Sequence, residues 1–220
     1  MGFPTTIERD PVNKVIGDSS LEDEFDQNPT DIDEQSRIRI HLKYVENFIR
    51  NQSSLSLMKC NALDHLNEYW KKGQFPTHNR YQQEGEQQQK RLPRFIDHNG
   101  VHCAVGYMIL KSPGFEHLPN QINTNYEYSF IDEIGNSNNS DLTKWMNMYE
   151  FNLNELAMIQ PTYEHMRGSQ MIVEEVLEPQ PQPPTPTTSE MPKTSETPPK
   201  VPAKSRVRAF FHRLFDYFRK

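Results

Sequence analysis

The chain reads Arg-Leu-Pro-Arg-Phe-Ile-Asp-His-Asn-Gly-Val-His-Cys-Ala-Val-Gly-Tyr-Met-Ile from Arg91 to Ile109, and this stretch decides how the middle of the sequence folds. Asn99-Gly100 is a turn signal, because both residue types tolerate a positive φ. The residues before the turn and 101–103 after it predict two short strands, which form one β-hairpin. From Cys103 onward, small and apolar residues predict a buried helix.

Helical spacing of apolar residues is the main signal on both sides of this stretch. It predicts a first helix at about 35–51 and a second that Ser54 caps and Gly73 ends in a left-handed turn. Further along, Asp141 is predicted to cap a helix that carries Trp145. The fold class predicted from these patterns is mainly α, a small helical domain with one short β-hairpin.

A last helix is predicted after Asn152, which forms a pair resembling a capping box with Glu155 three residues later. In such a box the first side chain accepts an N–H bond from the helix, while the second accepts one from the cap residue. Gln160-Pro161 then stops the helix, since proline lacks the backbone donor that a helix needs.

The composition divides the chain into four parts. Only 34% of its 220 residues are hydrophobic, which is too few for one packed core over the whole length. Residues 1–36 are predicted to be a disordered acidic arm, because few large apolar side chains interrupt the acids. Residues 37–177 form the predicted helical domain. Residues 178–205 hold nine prolines and predict an extended linker to a final segment, 206–220.

The segment 206–220 is predicted to be a basic amphipathic helix. At helical spacing it carries an apolar stripe of Val207, Phe210, Phe211, Leu214, Phe215 and Phe218. Its basic residues are Arg206, Arg208, Arg213, Arg219 and Lys220. From residue 200 onward the net charge is +6, so the remainder of a chain with a net charge of −6 carries −12. This pattern predicts docking on an anionic membrane surface or on a partner protein.

Three motifs resemble those of an uncharacterised bacterial family over roughly residues 40–163. They are the 91–109 stretch, the flank Glu68-Tyr-Trp-Lys-Lys-Gly-Gln-Phe-Pro76 and the later run Glu155-Leu-Ala-Met-Ile-Gln-Pro-Thr-Tyr163. In short form, the first is an R-x-P-x-F-I-D-x-x-G-x-x-C-A-V-G-Y core motif and the third is an E-L-A-x-I-Q-P-x-Y end motif. The resemblance implies the extent of the domain and implies no activity.

Cys103 is the sharpest candidate for chemistry. It is predicted to lie where a strand enters a helix, and a helix N-terminus lowers the pKa of a thiol. His102, His98 and Asp97 lie nearby and could supply the base and its orienting acid. Neighbours on a strand point to opposite faces, however, so a more distant histidine, His78, His117 or His165, would be needed beside the thiol. The alternative is that Cys103 is an inert buried residue.

The same residues have plainer interpretations. The Asp97 carboxylate can accept backbone N–H bonds from the Asn-Gly turn and hold it closed, which is the interpretation that the sequence favours. A metal site from Asp97, His98, His102 and Cys103 matches no ligand spacing and would strain one hairpin, so no metal is predicted. No cofactor motif is present either, and none is predicted.

Other features of the sequence narrow the class of function. No run of about 18 apolar residues predicts a membrane span, and no signal peptide is visible, so a cytoplasmic or peripheral membrane location is expected. Met1 to Thr6 formally fits a myristoylation pattern at Gly2. Specific nucleic-acid binding is not predicted, because only the last segment is basic. We expect a non-enzymatic interaction module; the alternative is a cysteine-dependent hydrolase or transferase that uses Cys103.

Overall fold

The computed structural model describes residues 10–25, 32–52, 54–82, 90–137 and 139–167, all within one unit, Met1–Glu178. In chain order its elements are α1 (Ser19–Phe25), α2 (Glu34–Arg50), α3 (Leu57–Lys72), β1 (His78–Gln82), α4 (Ala104–Leu110), α5 (Leu118–Tyr126), α6 (Ile131–Asn136), α7 (Ser140–Tyr149), α8 (Leu153–Ile159) and β2 (His165–Arg167). The mainly helical fold class is therefore confirmed. The predicted linker 178–205 and the helix 206–220 lie outside the described residues.

The two longest helices begin and end where local chemistry requires it. Asp33 caps α2, because its carboxylate accepts the Ser36 N–H at 2.9 Å. The cap of α3 is Ser56, two residues after the predicted Ser54. Gly73 ends α3 at a φ of 67°, a left-handed conformation that glycine adopts without steric cost, as predicted.

The last two helices show one prediction confirmed and one corrected. Asn152 and Glu155 form the reciprocal capping box at the start of α8. The cap of α7, however, is Asn139 rather than Asp141. Asn139 precedes the first helical residue and its side chain accepts the Leu142 N–H at 3.0 Å, whereas Asp141 already lies in the first turn.

The core is built around α4, which packs against α3, α5 and α8. Five of its seven residues are buried, so this helix has almost no solvent face. Gly106 permits the close packing, since a Cβ there would lie 3.2 Å from Phe95 Cε1. On another side of the core, Trp145 is fully buried, stacks on Phe151 with ring centroids 5.5 Å apart, and donates its indole N–H to Ser112.

The predicted β-hairpin is wrong. The two arms of the turn meet in a single antiparallel bridge between Ile96 and His102. Beyond that bridge, the Phe95 N–H donates to the Glu127 carbonyl instead of to the other arm, and Pro93 has no N–H to donate. The strand ladder therefore does not continue. Two short strands do occur in the described residues, but they are β1 and β2, which pair in parallel.

The prediction that residues 1–36 form a disordered arm is wrong for residues 10–25. This segment packs on the domain, and Val12, Ile16 and Leu21 are buried. α1 contacts α2, which begins at Glu34, inside the range predicted to be disordered. The remaining residues of the predicted arm, 1–9 and 26–31, lie outside the described residues. Residues 10–25 are called the N-terminal strap below.

Candidate functional site

The Asp97 turn lies at the centre of the motif that the sequence singled out. Asp97 Oδ1 accepts the backbone N–H groups of Asn99 and Val101, each at 2.9 Å. Its Oδ2 accepts the Thr77 N–H at 3.1 Å, which ties the turn to the segment after α3. Gly100 adopts a φ of 76°. These contacts confirm the interpretation of Asp97 as the residue that holds the turn.

Cys103 lies at the start of α4, as predicted, but its thiol is sealed. The residue is 0% exposed, and Sγ accepts the Gly106 N–H at 3.3 Å as the helix N-cap. Burial raises the pKa of the Cys103 thiol to about 12, more than the N–H groups of the helix start lower it. Its electrostatic neighbours include the buried phenols Tyr69 and Tyr163, whose own pKa values are also raised by burial. These surroundings disfavour a thiolate.

The two nearby histidines do not form a catalytic pair with the thiol. His98 is exposed on the turn. His102 is half-buried, and the Tyr69 hydroxyl donates to its backbone carbonyl at 2.8 Å. Burial lowers the pKa of His102, and its Nε2 has no hydrogen-bond partner in the described part of the chain. Cys103, adjacent to His102, enters the core, which agrees with the expected alternation of faces.

Two further findings concern only the residues that the structure describes. Among them, no group of three histidine, cysteine or acidic side chains is arranged to hold a metal ion. No helix in the same residues is both long and apolar enough to cross a membrane.

A buried ionic network joins the N-terminal strap to the domain, and the sequence did not predict it. Arg37 of α2 is 1% exposed and binds Asp18 at 3.1 Å and Glu164 at 3.2 Å. Arg91 is 4% exposed and pairs with Glu34 through both terminal nitrogens at 2.7 Å. Both guanidinium groups are buried, and each lies within 3.2 Å of two carboxylates, so the network compensates charges that would be costly to bury alone.

His41 lies inside the core next to this network. It is 0% exposed, and its Nε2 lies 2.9 Å from the Met158 carbonyl oxygen near the end of α8. Its Nδ1 is buried and has no hydrogen-bond partner among the described residues. Burial lowers the pKa of His41 to about 4, despite the hydrogen bond to Met158, which raises it.

One signal in the sequence could have identified the strap. Val12, Ile16 and Leu21 are large apolar residues in an otherwise acidic segment, and all three are buried. Average composition concealed them, because the surrounding acids lower the mean hydropathy of the whole arm. The ion pairs of Arg37 and Arg91 had no such signal, since their partners lie far away in sequence.

In comparisons with known proteins, no family model, no curated protein and no solved structure matches the chain. The resemblance to an uncharacterised bacterial family therefore stays a prediction. The predicted membrane- or partner-binding residues of 206–220 lie outside the described residues.

Proposed function

We propose that the protein is a non-enzymatic interaction module whose C-terminal segment, 206–220, docks on an anionic membrane surface. The observation that carries the proposal is the sequence pattern of this segment, an apolar aromatic stripe with basic residues around it. Such a helix buries its apolar face in the headgroup region while its cations face anionic lipids. A partner protein with an acidic, apolar groove is the alternative occupant.

The charge distribution supports contact with an anionic surface. The last 21 residues carry +6, whereas the rest of the chain carries −12. Each basic residue near an anionic bilayer contributes about 1 kcal/mol of attraction. The acidic remainder is repelled by the same surface. The expected contact is therefore confined to the basic end.

The linker length supports an independent contact. A proline-rich chain in polyproline II geometry extends about 3.1 Å per residue, so residues 178–205 can span at most about 87 Å. A helix on such a tether can reach a surface without any rearrangement of the domain.

The surroundings of Cys103 bear on the cysteine-dependent alternative. Its best candidate nucleophile, Cys103, is sealed in the core with a pKa near 12. The cysteine-dependent alternative needs a thiolate that a substrate can reach. The geometry around Cys103 gives that alternative no support.

Liposome flotation of the full chain tests the proposal. We expect recovery with vesicles that contain about 30% phosphatidylserine, and loss of recovery when residues 206–220 are removed. Added salt should weaken binding, because it screens the attraction between the basic residues and the lipid. Equal recovery of the two chains with anionic vesicles would overturn the membrane proposal.

A matched pair of aromatic substitutions tests the stripe itself. Phe211 lies on the apolar stripe, whereas His212 lies on the opposite side of the helix at helical spacing. We expect Phe211→Ala to weaken vesicle binding about tenfold, from the loss of one buried aromatic side chain, and His212→Ala to weaken it much less. Equal effects of the two substitutions would contradict a helix that lies on the surface with this face inward.

A further inference from the structure

The N-terminal strap is held to the domain as a peptide is held in a binding groove, with each residue from Asp10 to Asn13 contacted separately. Asp10 Oδ2 accepts the Arg91 backbone N–H at 3.0 Å, and the Asp10 carbonyl accepts from the Arg37 guanidinium at 3.1 Å. Two consecutive backbone carbonyls of the strap, those of residues 11 and 12, accept from Thr162. The domain therefore recognises both a side chain and the backbone of this segment.

Asn13 makes the most specific contact of the strap. Its Nδ2 donates to three carbonyl oxygens at the end of α8, those of Ala157, Met158 and Gln160, at 2.9, 3.1 and 2.9 Å. Carbonyls at the end of a helix have no partner within the helix, so the amide group supplies donors that α8 lacks. Asn13 Oδ1 accepts the backbone N–H groups of residues 15 and 16 and so turns the strap after this contact.

Burial and contacts differ from residue to residue along the strap. Val12 and Asn13 are 0% exposed, the Pro11 side chain faces solvent, and the exposed Lys14 binds Asp132 of α6 at 3.0 Å. The pattern that the groove reads is therefore an acid, any residue, an apolar residue and an asparagine. Peptides in binding grooves are commonly held in this way, through main-chain hydrogen bonds and pockets for some of the side chains.

We propose that this groove is a peptide-binding site, which residues 10–13 of the chain fill intramolecularly. A partner segment with the same chemistry, Asp-x-Val-Asn, binds there when the strap leaves. The groove is formed by the end of α8, Thr162, Arg37 and Arg91. This site is separate from the proposed contact through 206–220, so either proposal can fail without the other.

The covalent connection determines how the site must be tested. A tethered strap competes at an effective concentration in the millimolar range, so an added peptide cannot displace it at micromolar concentration. The test uses the full chain with a protease recognition sequence inserted between residues 26 and 31. Cleavage after folding makes the strap a free peptide. A labelled synthetic peptide of residues 1–25 then reports exchange by fluorescence anisotropy.

We expect the cleaved chain to bind the labelled peptide and unlabelled peptide to compete for the site. A peptide with Asn13→Ala should compete at least about tenfold less well, since the carbonyls of Ala157 and Gln160 lose the Asn13 donor and that of Met158 keeps only His41. A peptide with Pro11→Ala, which changes an exposed side chain and keeps the backbone carbonyl, is the matched control and should compete almost as well as the unchanged peptide.

Three results would each overturn the proposal. The first is that the cleaved chain takes up no labelled peptide at about 100 μM, a concentration that detects even weak peptide sites. The second is that the Asn13→Ala peptide competes as well as the unchanged one. The third is that the original strap never exchanges and leaves only when circular dichroism shows the whole domain unfolding, because the segment is then part of the core and not a ligand.

Discussion

Asp97 connects two parts of the chain that are distant in sequence order. One carboxylate oxygen closes the turn at Asn99 and Val101, and the other binds the Thr77 N–H. The residue is 6% exposed, so water cannot replace these partners easily. The structure of the turn therefore depends on a side chain with two acceptor oxygens.

The substitution Asp97→Asn tests this dependence. It replaces one acceptor oxygen by an NH₂ group, which then faces a backbone N–H donor. Hydrogen bonds to a charged group contribute about 1.5–3 kcal/mol each, and we expect the free energy of unfolding to fall by about 2–3 kcal/mol. Urea denaturation measures the loss, with the exposed neighbour His98→Ala as a control expected to change it by less than about 0.5 kcal/mol. Equal midpoints for the two variants would contradict the role of Asp97.

Cys103 and Cys60 are expected to differ sharply in reactivity. Cys103 is fully buried and its pKa is raised to about 12, whereas Cys60 is partly exposed on α3. In the folded protein we expect a thiol reagent to label Cys60 and to leave Cys103 protected by about 10³-fold or more relative to unfolded chain. Mass spectrometry of the Cys60→Ser variant isolates Cys103. Rapid labelling of the folded variant near pH 8 would restore Cys103 as a candidate nucleophile.

Elements with strong local signals were predicted well from the sequence. The period of apolar residues located α2 and α3, and the Asn152–Glu155 pair located the start of α8. Elements that depend on contacts made elsewhere were missed. α6 has six residues and no strong period, and the Ile131 N–H at its start is bound by the distant side chain of Gln160 at 2.7 Å. The residues around Ile131 give no indication that a side chain 29 positions away binds its N–H.

The predicted hairpin failed for the same reason. Asn99-Gly100 does form a turn, because its signal is local. Extension of the turn into two strands requires a continuous ladder of backbone bonds. Instead, Phe95 binds the Glu127 carbonyl, and the Arg94 side chain pairs with Glu127 at 2.6 Å. Tertiary contacts with the end of α5 therefore replace the ladder that a hairpin around this turn requires.

A buried ion pair joins α3 to α8, and its contribution to stability can be measured by substitution. Lys59 Nζ binds both oxygens of Glu155, at 2.7 and 2.8 Å, and the two side chains are 8% and 4% exposed. We expect Lys59→Met to reduce the free energy of unfolding by about 3–5 kcal/mol, because it leaves a buried carboxylate without its partner. Urea denaturation measures the loss.

A second variant and a surface control make this prediction specific. Adding Glu155→Gln to Lys59→Met should recover much of the lost stability, since glutamine is neutral and can still serve the capping box with Asn152. Lys144→Met removes an exposed pair with Asp141 and should cost at most about 1 kcal/mol. No recovery in the double variant would show that packing, rather than the unpaired charge, causes the loss.

At the scale of the whole molecule, ion pairs hold the N-terminal strap against the rest of the described chain. No local sequence pattern marks the residues that form them. Asp18 and Glu164 are more than 140 residues apart, yet both bind Arg37. The acidic composition of residues 1–36 indicated a solvated segment, because composition does not show which cations the acidic side chains bind. A charged segment becomes part of a core when buried cations meet its acids, and a single sequence does not reveal those pairs.

The stability of the whole domain is expected to fall as the pH drops below 7, and His41 is the main cause. In the folded protein its pKa is about 4, against 6.5 when unfolded, because burial disfavours the charged ring. The unfolded chain therefore takes up a proton at a higher pH than the folded one. The stabilisation is fully present above pH 6.5 and is lost as the pH falls towards 4.

From pH 7 to pH 5 this difference corresponds to a loss of about 2 kcal/mol in the free energy of unfolding. Two charged groups act on the ring in opposite directions: Asp18 raises its pKa, and Arg91 lowers it. Urea denaturation at several pH values should show the loss in the natural sequence and a flatter profile for His41→Gln, whose amide can still donate to the Met158 carbonyl. The exposed His98→Gln should keep the natural profile. Parallel profiles for the natural sequence and His41→Gln would mean that another group carries the pH dependence, and that protonation of the buried ring is not what weakens the fold.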